Sequence, residues 1–202
     1  MSTSPQPTLD RGSGELKSRI LVVAAELFAE RGYAATSMRE VAEAAHCTKP
    51  ALYYYFDNKG ALFQEIIQAE VLRITRLIER QFARPGTVRE RLAAAMHAYF
   101  DHVQRDPVGL KVLLRTEVHA ENGQPSIDMH SARSLYIDLV IPLLREGVEN
   151  GEIRQNVNLD DAMHALAGIV DLRCMLWVLE GDRIPPDYPE RVLELMFEGV
   201  AP

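Results

Sequence analysis

The 202-residue sequence predicts an all-α protein of about nine helices. Apolar residues recur at three- and four-residue intervals along most of the chain. Breakers such as Gly32, Pro85-Gly86, Asp106-Pro107 and Asn150-Gly151 separate these stretches. No segment shows the sustained apolar–polar alternation of a half-buried strand.

Residues 1–14 (MSTSPQPTLDRGSG) carry little to bury and read as a flexible tail. Ile20, Ala24, Leu27 and Phe28 then form the apolar stripe of a first helix, stopped at Arg31-Gly32. Ser37 and Glu40 make an S-x-x-E capping box opening a short second helix, with Val41, Ala42 and Ala45 on one side. Thr48 and Pro50 open a third short helix running through Leu52 to Phe56. Asp57-Asn58-Lys59-Gly60 breaks it, and a long fourth helix is expected from about Ala61 to about Phe82. Further helices are expected over roughly Thr87–Arg105, Pro107–Ala120, Ser126–Glu149, Leu159–Glu180 and Pro189–Val200. Pro142 should kink the seventh.

Composition narrows the function classes. Apolar residues make up 47% and charged residues 25%, values ordinary for a soluble globular chain of one large or two small domains. The two cysteines, Cys47 and Cys174, are far apart, so neither a disulfide framework nor a thiolate zinc site is expected, and a reducing cytoplasm is. The polar start lacks an apolar core of the secretory type, and no stretch is expected to span a bilayer. Net charge is −7, but it is unevenly placed: residues 1–91 hold 13 cations against 11 acids, residues 92–202 hold 9 against 18. An acidic total opposes indiscriminate nucleic-acid binding, while the first part leaves room for local phosphate contacts.

The informative segment is Thr36 to Lys59, TSMREVAEAAHCTKPALYYYFDNK. Two short helices joined by a tight turn make a helix-turn-helix, whose second helix enters the DNA major groove. Ala42 is small where the helices must approach, and Val41, Ala45, Leu52 and Phe56 supply buried faces. Three consecutive tyrosines cannot all be buried on so short a helix. Tyr53 and Tyr54 are expected to project, able to bond phosphate oxygens or pack on thymine methyls, with Tyr55 on the core side. Thr36, Ser37 and Lys59, at helix starts, suit phosphates.

Here the sequence resembles the TetR/AcrR family of one-component transcriptional regulators, over ILVVAAELFAERGYAATSMREVAEAA and TKPALYYYFDNKGALF. The resemblance implies a helix-turn-helix DNA-binding domain over 15–63, the fourth helix continuing to about 82 as connector, and a larger helical ligand-binding and dimerisation domain over 84–202. It implies that Thr36, Ser37, Arg39, Thr48, Lys49, Pro50, Tyr53, Tyr54 and Lys59 match operator-contacting positions. It also implies a homodimer that binds double-stranded operator DNA, most often as a repressor, and is released by a small-molecule effector. One departure is His46, where the family usually places glycine in the turn.

In the second part, Met96, Phe100, Leu114, Glu117, Tyr136, Arg173 and Trp177, with Val103, Leu110 and Leu139, suit an effector pocket as well as a plain core. Leu159–Glu180 carries Ala162, Ala165 and Gly168 beside Leu166, Ile169 and Leu172. With Val192, Leu195 and Met196 of the last helix it suits a four-helix dimer interface. His97, Asp101 and His102 fall short of a metal set, since three or four ligands are required, so no metal is expected. Arg11 and Lys17 read as solvated. No nucleophile elbow, dinucleotide loop or phosphate loop occurs, so neither an enzyme nor a cofactor is expected. The competing readings are an all-α ligand-binding or structural protein with a vestigial helix-turn-helix, and an activator of the same fold.

Overall fold

The structure, a computed structural model, describes residues 10–118 and 122–199, with side chains over 14–116, 122–128 and 134–199. Among the described residues there are nine helices and no strand. They are α1 (Asp10–Arg31), α2 (Met38–Ala44), α3 (Lys49–Tyr55), α4 (Lys59–Phe82), α5 (Val88–Arg105), α6 (Val108–Val118), α7 (Met129–Glu149), α8 (Leu159–Glu180) and α9 (Tyr188–Glu198).

The differences from expectation are local and chemical. α1 begins at Asp10, inside the stretch expected as tail. α4 begins at Lys59 rather than Ala61 because Asn58 caps it, its Oδ1 accepting the Ala61 N–H at 2.9 Å. α7 begins at Met129 rather than Ser126 and runs on through Pro142. α9 stops at Glu198 because Gly199 takes a φ of 81°. The remainder of the expected tail, and Val200, lie outside the described residues.

Contacts gather the chain into two units. The first holds the chain through Ala69 together with Val108–Ile127, and the second holds Glu70–Pro107 and the chain from Asp128 on. In the first, Ile20, Ala24 and Phe28 of α1 face Val41 and Ala42 of α2, Leu52 of α3 and Leu62 and Phe63 of α4, all buried. Phe28, Tyr33 and Phe63 form an aromatic knot with centroids 5.1–5.7 Å apart. α6 packs on α1 in this same unit through Leu110, Val112 and Leu113, which periodicity alone places with the second half. In the second unit, α5 is central. Its Val88, Leu92, Met96, Phe100 and Val103 meet α7, α8 and α9, and the Glu90 carboxylate closes a capping box with Thr87.

α8 corrects one expectation. An 18-residue stretch of this 22-residue helix has a mean hydropathy of 1.5, enough in length and composition to cross a membrane, yet the helix carries Asp160, Asp161, Asp171 and Arg173. Met163, Leu166, Val170 and Cys174 give it one buried side, while Leu172 and Leu179 on other faces are exposed. Its apolarity therefore exceeds what its own unit covers.

The α2–α3 turn shows how His46 replaces glycine. Its φ is 49°, the left-handed conformation, making it the only positive-φ residue other than glycine among the described residues. The His46 N–H reaches the Glu43 carbonyl at 3.1 Å and the Cys47 N–H reaches the Ala42 carbonyl at 3.0 Å, the double bond pattern of a Schellman ending. A left-handed backbone costs a non-glycine residue about 1–2 kcal/mol. Glycine recovers that and returns about 0.4–1 kcal/mol through the entropy of its unfolded chain. His46→Gly is therefore expected to raise Tm by about 1–4 °C, read by calorimetry; a fall would show that the imidazole stabilises the turn. Ser37→Ala removes the cap of a seven-residue helix and is expected to lower Tm by about 2–4 °C at neutral pH. The hydroxyl of Ser37, then its backbone N–H, holds the Glu40 carboxyl below its ordinary value. This stabilisation is present with the carboxylate ionised and is lost as pH falls through its lowered titration, so the gap between the two proteins should narrow in acid.

Candidate nucleic-acid interface

α3 is seven residues long, too short to persist alone, and is fixed by what it buries. Thr48 caps its start, the hydroxyl accepting the Ala51 N–H at 3.3 Å, and Pro50 sits in the first turn where its missing N–H is not needed. Leu52 is fully buried and Phe56, just past the helix, is 2% exposed. These two anchors turn the opposite side outward. Tyr53 is 48% exposed and Tyr54 82% exposed, as the spacing predicts. Tyr55 is half-buried between, meeting Tyr54 edge-on at 5.1 Å. Lys49, Pro50 and Thr48 are exposed on the same short helix and its cap. α3 thus offers two phenols, an ammonium and a proline ring on one open surface.

The other candidates divide. Arg39 is exposed on α2 and lies 3.6 Å from Glu43, one turn on, a surface pair that can open without cost to the fold. Ser37 is exposed, with its hydroxyl engaged in the capping box. Thr36 is 2% exposed, and its hydroxyl donates to the Gly32 carbonyl at 2.8 Å. Lys59 donates to the carbonyls of Tyr33 at 2.7 Å and Thr36 at 2.9 Å, its Nζ standing 4.2 Å from the centre of the Tyr33 ring. Both side chains are engaged inside the unit. Lys17, expected to be solvated, pairs with Glu65 at 2.6 Å. The Arg11 side chain lies outside the described residues.

Arg19 is a residue the sequence reading passed over. From α1 its Nε donates to the Ala45 carbonyl at 2.8 Å, satisfying an orphan carbonyl at the end of α2 with a cation at the negative end of the helix. The signal that could have found it is its place one residue before Ile20, the first residue of the α1 stripe.

The effector candidates divide as well. Met96 and Phe100 are buried on α5, and Tyr136 and Trp177 are half-buried on α7 and α8. Leu114 belongs to α6 and so to the first unit, and the Glu117 side chain lies outside the described residues. Arg173 is held by the Asp182 carboxylate and by the Asp182 and Arg183 carbonyls, which locks α8 to the following loop. The polar group the sequence reading missed is Tyr99 with Cys174 and Asp171. Burial pushes the Tyr99 phenol far up, and Asp171 and a hydrogen bond with Cys174 push it further. Burial first, then Asp171, raises Tyr136 strongly and brings the Cys174 thiol to about 12. The second unit therefore carries two phenols and a thiol whose titration is raised by burial, with the exposed Asp171 carboxylate acting on all three. Two hollows, of about 600 and 450 Å³, lie beside α5 and α9 and share His97 and Asp101; of the effector candidates only Phe100 lines either. His97 bonds Glu190 at 2.6 Å and His102 bonds Glu70 at 2.9 Å, so the two imidazoles go to separate carboxylates.

The family description for bacterial regulatory proteins of the tetR family matches residues 20–66, the span from the buried face of α1 through α3 into α4. The HTH-type transcriptional activator FasR of Mycolicibacterium smegmatis is 31% identical over 64% of this chain, a match that spans 59% of that protein. The fatty acid metabolism regulator protein of Bacillus subtilis is 22% identical over 90% of this chain and 94% of its own. In structure, the FadR regulator of Bacillus subtilis, solved in complex with stearoyl-CoA, superposes with a TM-score of 0.77 at 21% identity, covering 91% of this chain and 99% of that one. The segment that exposes the tyrosines is thus the one the family shares, on a fold shared along nearly the whole length. Residues 20–66 are similar to the bacterial regulatory proteins of the tetR family, within a fold that solved regulators share.

Proposed function

We propose that this protein is a cytoplasmic transcriptional repressor that binds a palindromic operator as a homodimer and releases it when a small apolar molecule enters the second unit. The observation that carries the DNA-binding reading is the exposure of Tyr53 and Tyr54 on a helix anchored from behind by Leu52 and Phe56. Lys49, Thr48, Pro50 and Arg39 complete the proposed contact set, with Ser37 at the start of α2 presenting a helix N-terminus to phosphate. The buried Thr36 and the engaged Lys59 serve it by holding the connection between α1 and α2.

Dimerisation is supported by α8. Leu172, 52% exposed, and Leu179, 70% exposed, stand on a helix more apolar than its own unit covers, with Ala165 and Gly168 small and exposed where a second helix can approach. Leu195, exposed on α9, adds to that surface. Two-fold pairing would then present two α3 helices to two half-sites.

An apolar effector is supported by the character of the second unit, where Met96, Phe100, Tyr136 and Trp177 accompany the polar Tyr99, Cys174 and Asp171. A relative named for fatty acid metabolism, and a structural neighbour solved with stearoyl-CoA, support an acyl chain as the first molecule to try. α4 is the proposed connector. Its Glu70, 6% exposed, accepts from His102 Nε2 of α5 at 2.9 Å, and the same helix begins at the helix-turn-helix. The effector works only through unequal affinity for two arrangements of α4.

Anisotropy titration of a labelled palindrome from the protein's own upstream region tests the reading. Tyr53→Ala and Lys49→Ala are each expected to weaken binding about tenfold with the fold intact by circular dichroism. Saturating stearoyl-CoA is expected to lower operator affinity. Full affinity in its presence overturns that effector, and full affinity with whatever molecule is retained on purification overturns ligand release. No binding of any palindrome overturns the regulator reading in favour of a ligand-binding protein with a vestigial helix-turn-helix. An activator would bind as well but raise transcription in a reporter assay.

A further inference from the structure

Lys59 occupies the first position of α4, the positive end of a 24-residue helix, where an ammonium is electrostatically disfavoured. Its side chain leaves that end. The ammonium lies between two backbone carbonyls of the α1–α2 connection, Tyr33 at 2.7 Å and Thr36 at 2.9 Å, with the Tyr33 ring 4.2 Å away. That ring is itself wedged against Phe28 and Phe63, so it is a fixed wall.

We infer that Lys59 is a positioning residue: it ties the first turn of α4 to the connection that precedes α2, and so sets where the helix-turn-helix begins. Both carbonyls lie in the connection between α1 and α2, where Tyr33 also accepts the Thr36 N–H at 3.3 Å. Two charge-assisted bonds to backbone are geometrically strict where a surface ion pair is loose. Thr36 reinforces the tie through its buried hydroxyl on Gly32, and the next residue, Ser37, is the cap of α2. Arg19 performs the matching task at the far end of α2, on Ala45. α2 is therefore pinned by one cation from α1 and one from α4, each 26 residues from a carbonyl it holds. A displacement of the α4 start reaches Ser37 through Lys59 with no flexible segment between.

The regulatory consequence rests on the proposed function, but the tie lies within one unit and is tested without DNA. In the full-length protein with lysine-labelled side chains, the ε-methylene protons of Lys59 are expected upfield, shielded by the Tyr33 ring, and to stay there when operator is added. Lys59→Met is expected to speed amide exchange at Thr36, Ser37 and Glu40 about tenfold or more. It is also expected to weaken operator binding while the slope of log affinity against log salt stays unchanged, because no phosphate contact is lost. Ordinary ε-methylene shifts in the free protein overturn the tie. Unchanged exchange in Lys59→Met, with the salt slope reduced by about one, also overturns it and makes Lys59 a phosphate contact. If Lys59→Met fails to fold, the wild-type shifts alone decide. If the wild type binds no palindrome, the regulator reading falls while shifts and exchange still judge the tie.

Discussion

A helix of seven residues has too few internal hydrogen bonds to outweigh the entropy of forming it, so α3 exists only because Leu52 and Phe56 are gripped from below. That grip decides which side of α3 meets solvent. Replace the anchors and the tyrosines lose their direction before they lose their chemistry. The aromatic knot of Phe28, Tyr33 and Phe63 belongs to the same core, and it also supplies the wall against which Lys59 rests. Core packing, turn placement and surface display are in this unit one arrangement, not three.

The second unit uses apolar surface differently. α5 satisfies its neighbours almost completely, burying Val88, Leu92, Met96, Phe100 and Val103. α8 contributes Met163, Leu166, Val170 and Cys174 to the same core and leaves two leucines outside. These two leucines support the proposed pairing of α8 with a second copy. Within the unit, Asp171 raises the titration of Tyr99, Tyr136 and Cys174 alike. Those groups stay protonated at neutral pH and present hydrogen-bond donors rather than charges.

What could be read in the sequence was what short-range chemistry encodes. The capping box at Ser37 and Glu40, the Thr48 cap, the α1 stripe and the left-handed His46 each depend on residues within one or two turns, and each stands where the spacing put it. Exposure of Tyr53 and Tyr54 followed from the same periodicity. That Lys59 is engaged by carbonyls 23 and 26 residues away, and that Thr36 is buried over Gly32, is not legible from residue type and helix position. The pairing of Arg173 with Asp182 is not legible either, since Asp182 sits in an irregular loop with no periodic signal. The packing of α6 on α1 was equally hidden, since an apolar stripe declares that it will be covered and not by what.

That last placement has a topological result. The chain passes from the first unit to the second within α4, returns at Val108 to lay down α6, and leaves again after Ile127. Three covalent crossings join the units where a simple two-domain protein has one. A gene fragment ending after α4 would strip α1 of Leu110, Val112 and Leu113 and leave a sticky remnant instead of a free-standing reading head. Recombination that swaps effector halves between regulators of this build would have to carry α6 with the half it covers, which makes the molecule inheritable as a whole more readily than as parts.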